Sequence, residues 1–495
     1  MARRAAGRFI GWFRPARITA DRPSPSLQEQ LYAAIRRAVL GGELAAGERL
    51  PSSRALAADL GVGRNTVIAA VERLVAEGYL ESRRGAGLFV AADLPPEGLG
   101  EASRPGAGRL DPVLSRRSGR FAPLHAEGEQ SQSQVRAKPF ATGPLALDAF
   151  PLDVWRRLGA QALRRDGARL LAAAPAQGLP RLRQVLAGYL AETRGVACSP
   201  ETIAIVSGAQ QALDLIGRLL LDPGDAVAVE DPGYVGLREA LAGIGARLLP
   251  VAVDGQGLDP ATLARLQPSP KLVMLTPSHQ FPLGMTLPLG RRLALLAEAR
   301  ARGLWIVEDD YDCEFRYSGP PLQALQGLDG GERVLYVGTF SKVLFPGLRL
   351  GYVVLPPGLM EGFLRLKATA DGFAPPAAQA TLAAFIAEGH LAQHVRRMRV
   401  LYRRRRAALL DALQRHAADL VEVCPSQAGL HVAVTFRDGR DDRAAAATAQ
   451  AAGLSVMPLS RYAVARPMSG LVLGFAAFPE AELEAGVQLL AKALR

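Results

Sequence analysis

The chain has 495 residues, 49% of them hydrophobic, which is enough for two or three folded domains. A formal net charge of +12 and a pI near 10.0 favour a polyanionic partner. No apolar run reaches the roughly 20 residues of a membrane span, and three scattered cysteines exclude a disulfide framework and a thiolate metal site. These features predict a cytoplasmic protein with no membrane partner and no metal site.

Composition divides the chain into four segments. Residues 1–23 form a basic N-terminal tail, for which a transit peptide, a flexible basic arm, a disordered tail and a misassigned start are all open. Residues 24–91 are rich in arginine and apolar residues, whereas residues 92–138 have the Pro, Gly, Ser and Glu content of a flexible linker. In residues 139–495, β-branched runs alternate with Leu/Ala-rich helical patterns, which predicts an α/β domain with a mostly parallel sheet.

The arginine-rich segment has the pattern of three helices followed by two strands. Apolar residues recur every four positions in SLQEQLYAAIRRAVL, which predicts a helix from Ser26 to Leu40 with one buried face. In LPSSRALAADLGVGRNTV, Ser52 or Ser53 caps a short helix that ends at Leu60, and another helix follows the glycine turn. The run YLESRRGAGLFV predicts two strands around glycines, so the segment is predicted to be a winged helix-turn-helix.

Charge supports a nucleic-acid partner for this segment. Exposed arginines and helix-turn-helix geometry each occur also in proteins that never bind DNA. From Met1 to Ala91, however, there are 14 Arg, no Lys and 8 acidic residues, so half of the net charge lies in under a fifth of the chain. The motif and the charge together predict that this segment binds double-stranded DNA.

The phrases LPSSR, GVGRNTV and GYLESRRGAG, in this order, resemble the GntR family of winged-helix DNA-binding domains. The resemblance implies operator contacts from the start of the second helix-turn-helix helix and from the wing, where glycines allow a close approach to the DNA backbone. The predicted DNA-binding residues are Ser53, Arg54, Arg64, Asn65, Thr66, Arg84, Gly85 and Gly87, with Arg83 beside them in the wing.

One of the five lysines in the chain has the surroundings of a cofactor-binding lysine. Lys342 follows a predicted strand, Val334–Val337, in VLYVGTFSKVLFPGLRLGY, where a desolvated amine can form an imine with an aldehyde. Arg349 follows it by seven residues, and Thr339 and Ser341 precede it. These side chains supply a cation and hydroxyls for a phosphate group beside a reactive amine.

Carboxylates follow another predicted strand, Leu304–Val307, in LWIVEDDYDCEFRY. Acids at such a place usually cap a loop or bind a metal, but beside a cofactor lysine they suit a pyridine ring, whose nitrogen stays protonated only next to a carboxylate. Asp309 is the predicted partner of the ring nitrogen, and Asp310 is the competing choice. Tyr311 is the predicted partner of the ring's phenolic oxygen.

A third site element is the turn after the strand Thr202–Val206, in IVSGAQQALDL. The backbone N–H groups of Gly208, Ala209 and Gln210 begin a long amphipathic helix there, and such N–H groups together with the helix dipole bind anions. A strand-to-helix turn with one glycine is common. The turn therefore counts as a phosphate site only in combination with the other elements.

Two further loops follow the predicted strands Ala226–Val229 and Leu272–Leu275. VEDPGYVG places Tyr234 where it can stack on a cofactor ring, and TPSHQFPLG places His279 or Gln280 near it, although such residues more often serve packing. All of these groups follow the carboxyl ends of strands in one α/β domain, which is where such sheets bind ligands.

The phrases SGAQQALDL, EDPGYVG, TPSHQFPLG, EDDYDCEFRY and GTFSKVLFPGLRLGY together resemble the fold-type I, class I aminotransferase domain. With the GntR-like segment, they make nearly the whole chain similar to the MocR subfamily of regulators. The resemblance implies pyridoxal phosphate bound as an aldimine to Lys342, a head-to-tail, domain-swapped homodimer, and a small amine or amino-acid effector. It also implies an arginine for the effector's carboxylate, for which Arg461 is the candidate and Arg466 the alternative, since LVLGFAA, at the usual place, has none.

Two functions require the same cofactor residues. In the first, the chain is a transcription regulator that senses an amino compound or pyridoxal phosphate itself through Lys342, and effector binding changes its affinity for operator DNA. In the second, it is an aminotransferase with an accessory DNA-binding domain. The linker and the basic segment favour the regulator, and the intact cofactor residues disfavour a third function, a DNA-binding module with a decayed cofactor fold.

Overall fold

A computed structural model describes residues 26–83, 85–93, 137–319, 322–466 and 468–495. The chain divides into two compact units after Val113. The predicted N-terminal tail, nearly all of the predicted linker and Arg84 lie outside the described residues. Within the described parts, no helix is long and apolar enough to cross a membrane.

The first unit is a winged helix-turn-helix. Its elements are α1 (Leu27–Leu40), α2 (Ser53–Leu60), α3 (Arg64–Ala76), β1 (Leu80–Arg83) and β2 (Gly87–Val90). Ser26 and Glu29 form a reciprocal capping box at the start of α1, as the predicted start at Ser26 requires. Ser52 caps α2, so Ser53 is the first residue of that helix rather than its cap.

The core of this unit is built from the apolar faces of the three helices and the wing. Leu31, Leu56, Val67 and Leu74 are at most 1% exposed. Gly61 ends α2 with φ of +65°, a backbone conformation that costs glycine little and allows the tight turn into α3. The strands β1 and β2 pair antiparallel. The predicted winged helix-turn-helix is therefore confirmed.

The second unit contains two subdomains. Its helices are α4 (Leu152–Leu171), α5 (Pro180–Arg194), α6 (Ala209–Leu220), α7 (Val235–Ile244), α8 (Pro260–Arg265), α9 (Leu289–Arg302), α10 (Leu325–Asp329), α11 (Pro357–Ala370), α12 (Pro376–Ala387), α13 (His390–His416), α14 (Asp442–Ala451) and α15 (Glu480–Leu494). Its strands are β3 (Ile203–Val206), β4 (Ala226–Asp231), β5 (Arg247–Asp254), β6 (Gly257–Leu258), β7 (Leu272–Leu275), β8 (Trp305–Asp310), β9 (Val334–Thr339), β10 (Gly351–Val354), β11 (Val421–Val423), β12 (His431–Phe436), β13 (Met457–Pro458) and β14 (Gly470–Gly474).

The large subdomain contains an eight-stranded sheet with helices on both faces. The strand order is β3-β10-β9-β8-β7-β4-β5-β6, and β5, β4, β7, β8 and β9 are parallel. Strand β10 runs antiparallel to both β3 and β9, so the predicted mostly parallel sheet is a mixed one. Successive residues of a strand pack into different cores, as Leu335 and Tyr336 of β9 do, because side chains alternate between the faces of a sheet.

The small subdomain is a four-stranded antiparallel sheet in the order β11-β12-β14-β13, covered by helices α14 and α15. The long helix α13 joins the subdomains, since its Val395 packs in a core of the large one and its Leu409 in the core of the small one. Phe140 is fully buried in that second core, and its carbonyl accepts a hydrogen bond of 2.8 Å from the N–H of Gly474. The first described residues of the second unit are thus part of its small subdomain.

Candidate cofactor and DNA-binding sites

The turn between β3 and α6 has the backbone geometry that was predicted for an anion site. Gly208 caps α6 with φ of +106°, and no side chain caps the first N–H groups of the helix. A Cβ atom at residue 208 would lie 3.8 Å from the guanidinium of Arg349. The fold therefore brings together the two predicted phosphate-binding elements, which are far apart in sequence.

Two hydroxyl residues at the end of β9 complete this group. Strand β9 extends to Thr339, two residues beyond the predicted strand, and the Thr339 hydroxyl accepts a hydrogen bond of 3.2 Å from the N–H of Ser341. The Oγ atom of Ser341 is buried and has no hydrogen-bond partner among the described residues. A buried polar atom without a partner costs about 1–3 kcal/mol, so this hydroxyl suits a ligand oxygen.

The two neighbouring acids at the end of β8 have different surroundings. Asp310 forms an ion pair of 2.7 Å with the buried Arg194 and accepts a hydrogen bond from Tyr336. The Oδ1 atom of Asp309 is buried without a partner in the described part of the chain. Burial and the nearby carboxylates of Asp310 and Asp312 raise the pKa of Asp309 to about 7. Because a protonated ring nitrogen would supply the missing donor, the geometry favours Asp309 over Asp310.

Lys342 lies in the turn that follows β9. Burial lowers the pKa of its amine, and the Asp312 carboxylate opposes this effect. No described residue forms a hydrogen bond or ion pair with its Nζ atom. Gly143 approaches this amine so closely that a Cβ there would lie 3.7 Å from Nζ. Gly143 could not be predicted from the sequence, where its only signal is a single glycine in FATGPLAL.

His279 connects Tyr311 to the small subdomain. The Nδ1 atom of His279 lies 2.8 Å from the Tyr311 hydroxyl and 3.0 Å from Oδ1 of Asp312, and its Nε2 atom lies 3.1 Å from the Ser426 hydroxyl. Burial raises the pKa of Tyr311 well above its ordinary value, which keeps the phenol protonated. Asp312 and Ser426 were not among the predicted site residues, although Asp312 lies within the acidic motif EDDYDCEFRY.

Gln280 takes the packing role that the sequence left open. Its amide donates to the carbonyl oxygens of Pro232 and Phe281 and accepts from the N–H of Leu283. All of its polar atoms therefore have partners within the protein. Of the two residues considered in this loop, only His279 contacts another predicted site residue.

Tyr234 precedes α7 and is 38% exposed. It lines one cavity together with Asp309, and its ring packs edge-on against Phe281 with ring centroids 5.9 Å apart. Gln210 donates a hydrogen bond of 2.7 Å through its side chain to the Gly236 carbonyl. The side chain of Gln210 thus orders the loop of Tyr234, whereas its backbone N–H lies in the first turn of α6.

Arg461 lies in a short 3-10 turn, Leu459–Tyr462, of the small subdomain. Its carbonyl accepts a hydrogen bond of 2.8 Å from Arg238, and the next residues, including the alternative Arg466, donate backbone N–H groups to the Asp231 carboxylate. The turn is thereby held against the loop that carries Tyr234. The contact of Arg461 with an effector therefore stays a prediction.

The predicted DNA-binding residues of the helix-turn-helix lie at the starts of α2 and α3. Arg54, Arg64 and Asn65 are exposed, and Ser53 and Thr66 are half-buried. The guanidinium groups of Arg54 and Arg64 form no ion pair or hydrogen bond with any part of the chain that the structure describes. Arg54 lies at the start of α2 and Arg64 at the start of α3, the recognition helix, and exposed cations at such positions suit phosphate oxygens and base edges.

The wing has the glycine geometry that its sequence predicts. Gly85 and Gly87 have φ of +77° and +112°. Arg83 is engaged within the wing, since it pairs with Glu81 and its guanidinium lies 4.6 Å from the Phe89 ring centroid. Arg49, which was not among the predicted residues, packs its guanidinium against the wing. A Cβ atom at residue 87 would lie 3.3 Å from the Nε atom of Arg49.

A winged helix-turn-helix followed by an α/β domain with these residues defines a DNA-binding protein with a second domain of the aminotransferase type. Comparison with known families agrees: residues 27–90 match the gntR family of bacterial regulatory proteins, and residues 140–490 match class I and II aminotransferases. The chain belongs to the MocR subfamily of GntR-family transcription regulators.

Individual relatives cover nearly the whole chain. It is 40% identical over 475 residues to the probable rhizopine catabolism regulatory protein MocR of Rhizobium meliloti, covering 94% of this chain and 93% of that protein. It is 33% identical over 471 residues to the pyridoxine biosynthesis transcriptional regulator PdxR of Corynebacterium glutamicum, covering 94% of this chain and 95% of that protein.

Solved structures match the second unit. A kynurenine aminotransferase of Pyrococcus horikoshii, solved with PMP, has a TM-score of 0.72 and 28% identity, and covers 77% of this chain and 96% of its own. The α-aminoadipate aminotransferase LysN of Thermus thermophilus, complexed with phosphopyridoxyl-leucine, has a TM-score of 0.71 and 30% identity, and covers 77% of this chain and 97% of its own. These matches agree with the predicted fold-type I domain.

Proposed function

We propose that the chain is a transcription regulator whose affinity for double-stranded operator DNA changes when an amino compound, or pyridoxal phosphate itself, binds its aminotransferase-type domain. In this proposal residues 24–91 bind DNA, residues 92–138 are the linker, and residues 139–495 bind the cofactor and effector. The observation that carries the proposal is that one chain contains exposed, unpaired arginines in its helix-turn-helix and, in its second unit, a buried carboxylate oxygen of Asp309 without a partner among the described residues.

Pyridoxal phosphate is the cofactor of the second domain, in agreement with the aminotransferase family and with the phosphopyridoxyl groups of the solved relatives. The described residues fit it, because the buried Oδ1 of Asp309 lacks a donor and the buried hydroxyl of Ser341 lacks a partner. When bound, the cofactor supplies an aldehyde that condenses with primary amines and a ring that withdraws electrons. The residues that we propose hold it are Lys342, Asp309, Tyr311, Tyr234, His279, Gly208, Ala209, Gln210, Thr339, Ser341 and Arg349.

Each of these residues has a distinct task in this proposal. Asp309 holds a proton on the ring nitrogen, because its carboxylate lies in a buried place where a positive partner is strongly favoured. Tyr311, protonated and in contact with His279, donates to the phenolic oxygen. Lys342 has a lowered pKa, so that a larger fraction of its amine is neutral and can act as a nucleophile or move a proton.

The effector site is proposed to lie beside Lys342, with Arg461 or Arg466 as the group for an effector carboxylate. The loop that carries both arginines is held by Asp231 against the loop of Tyr234, so an effector that reorders one loop acts on the other. We further propose that the protein is a head-to-tail homodimer in the cytoplasm. An effector can shift operator affinity only by its different affinity for the two states.

The experiment is a visible absorption spectrum of the purified protein, recorded with a panel of amines and followed by borohydride reduction and peptide mapping. We expect borohydride to fix the cofactor on Lys342, and one amine to change both the spectrum and the affinity for operator DNA. Lys342→Ala should prevent the fixation, whereas Lys271→Ala, at an exposed lysine paired with Asp225, should not. A protein that cannot be loaded with pyridoxal phosphate would contradict the proposal.

A second function, aminotransferase activity, is favoured by the amine of Lys342, which is partly buried and has no hydrogen-bond or ion-pair partner among the described residues, because a proton-shuttling enzyme needs such an amine equally. Multiple turnovers with an amino acid and a 2-oxo acid, at rates that account for the spectral change, would support the enzyme. A single spectral change without turnover would support the regulator.

A further inference from the structure

An ion pair between a buried lysine and a partly exposed aspartate, whose side chain is 26% exposed, lies behind the phosphate turn. Lys367 of α11 is 0% exposed, and its Nζ atom lies 2.7 Å from Oδ1 of Asp371 at the end of the same helix. Asp371 is its only ion-pair partner among the described residues. Burying an ammonium group costs several kcal/mol unless it is well paired, so a pair of this kind rarely stabilises a fold by itself. The cofactor tasks described above do not use it.

The second oxygen of Asp371 holds the phosphate turn from behind. Oδ2 accepts hydrogen bonds from the Ser207 hydroxyl, at 3.1 Å, and from the Gln211 side-chain amide, at 2.7 Å. The Gln211 side chain in turn accepts a hydrogen bond of 2.7 Å from the Ser207 N–H. Asp371 therefore fixes the residues on both sides of the segment 208–210, which carries the N–H groups that face the phosphate.

The two charges of the pair have separate effects on that turn. Asp371 is the acceptor that orients Ser207 and Gln211, but an unpaired carboxylate behind the turn would repel a phosphate dianion. Lys367 cancels this repulsion and also keeps Asp371 ionised: burial alone would raise the pKa of Asp371, but the hydrogen bonds from Lys367 and Gln211 lower it below its ordinary value.

We propose that Lys367, Asp371 and Gln211 are positioning residues for the cofactor's phosphate group. They act through the turn and touch no part of the cofactor themselves. Preorganised N–H donors bind an anion more tightly than mobile ones. Residues that support metal ligands change affinity by about 10- to 100-fold, and we expect an effect of the same order here. The proposal rests on the proposed cofactor site, in which Gly208 and Arg349 hold the phosphate.

The test compares the affinity of the apoprotein for pyridoxal phosphate with that for pyridoxal, which lacks the phosphate. The double variant Lys367→Met/Asp371→Leu removes both charges together, so that no unpaired ammonium group is left at the buried position of Lys367. We expect its affinity for pyridoxal phosphate to fall by about 10- to 100-fold and its affinity for pyridoxal to stay within about twofold. The matched control, Glu361→Gln/Arg365→Met, removes an exposed ion pair of the same helix and should change neither affinity.

Gln211→Leu provides a second variant that leaves the ion pair of Lys367 and Asp371 intact. It should reduce the affinity for pyridoxal phosphate by about tenfold and leave pyridoxal binding unchanged. Equal losses for both ligands, or no loss for either, in a folded variant would overturn the positioning role, because only a phosphate-specific effect distinguishes it from general destabilisation.

Arg349→Gln separates this inference from the cofactor site on which it rests. Suppose that Arg349→Gln lowers the affinity for pyridoxal phosphate alone, whereas Lys367→Met/Asp371→Leu and Gln211→Leu do not lower it. The positioning role is then wrong, and the proposed phosphate site is still supported. If Arg349→Gln affects both ligands equally, the phosphate is not held at this turn, and the proposed cofactor site is wrong as well.

Discussion

The two units of the chain both contain polar groups without a partner, and the meaning of these groups differs. In the winged helix-turn-helix, the unpaired groups are exposed arginines, such as Arg54 and Arg64. In the second unit they are buried atoms, such as Oδ1 of Asp309 and Oγ of Ser341. Water solvates an exposed cation at no cost, whereas a buried polar atom without a partner costs about 1–3 kcal/mol. The buried atoms are therefore the stronger sign of a ligand.

The largest expected effect tests whether each unit carries its own function. Leu74 is fully buried in the winged-helix core, and Leu74→Ala should cost about 2–5 kcal/mol, most of the stability of a domain of about 65 residues. We expect operator binding, measured by fluorescence anisotropy, to be lost while the visible spectrum of the cofactor is unchanged. Leu27→Ala, at a position 45% exposed, is the control. A changed cofactor spectrum in Leu74→Ala would show that the two units do not carry their functions independently.

The next largest effect tests how much the burial of the Asp309 carboxyl lowers the stability of the apoprotein. The pKa of Asp309 is about 7 in the folded apoprotein, against an ordinary value of 3.8, so the folded state binds more protons than the unfolded state between these values. Asp309 therefore lowers stability as the pH rises from about 4 to about 7. Asp309→Asn should leave apoprotein stability unchanged near pH 4 and increase it at pH 8, by at most about 4 kcal/mol.

Chemical denaturation of the two apoproteins at both pH values measures this difference. The same substitution should weaken pyridoxal phosphate binding, because the amide carries no charge for the ring nitrogen. A stability difference that does not change with pH would mean that Asp309 is not the group that burial destabilises.

A smaller effect distinguishes unpaired from paired arginines on one helix. Arg64→Ala should weaken operator binding by about 1–3 kcal/mol, and should lower the salt dependence by about one counterion if Arg64 contacts a phosphate. Arg73, also on α3, pairs with Glu77 at 2.8 Å and lies 3.9 Å from the Tyr32 ring centroid. Arg73→Ala should leave operator affinity nearly unchanged. Equal losses for the two variants would show that pairing does not identify the contact residues.

The smallest effect separates the two serines at the start of α2. Ser52 caps the helix through its hydroxyl, so Ser52→Ala should lower the free energy of unfolding by about 1 kcal/mol. Ser53→Ala should change stability little and weaken operator binding, because Ser53 is a predicted DNA contact. Thermal denaturation and DNA titration of both variants check this, and the reverse pattern would exchange their roles.

Local patterns in the sequence predict most of the fold and many of the candidate site residues. The helix start at Ser26, the glycine wing and five strands of the large sheet follow from spacing and turn residues, which act over a few positions. The choice between Asp309 and Asp310 cannot be predicted from local patterns, because it depends on Arg194, which is more than 100 positions away in the sequence. Residues such as Gly143, which approaches Lys342 across the fold, are found only when distant segments are seen together.

The burial of Phe140 has a practical consequence for dividing the protein. Its side chain fills the core of the small subdomain, its carbonyl bonds to Gly474, and Gly143 follows it beside Lys342. A truncated chain that began after Gly143 would lose the core residue Phe140, at a cost of about 3–5 kcal/mol in the free energy of unfolding. It would also lose Gly143, which lies next to the amine of Lys342. An isolated aminotransferase-type domain must therefore start before Phe140.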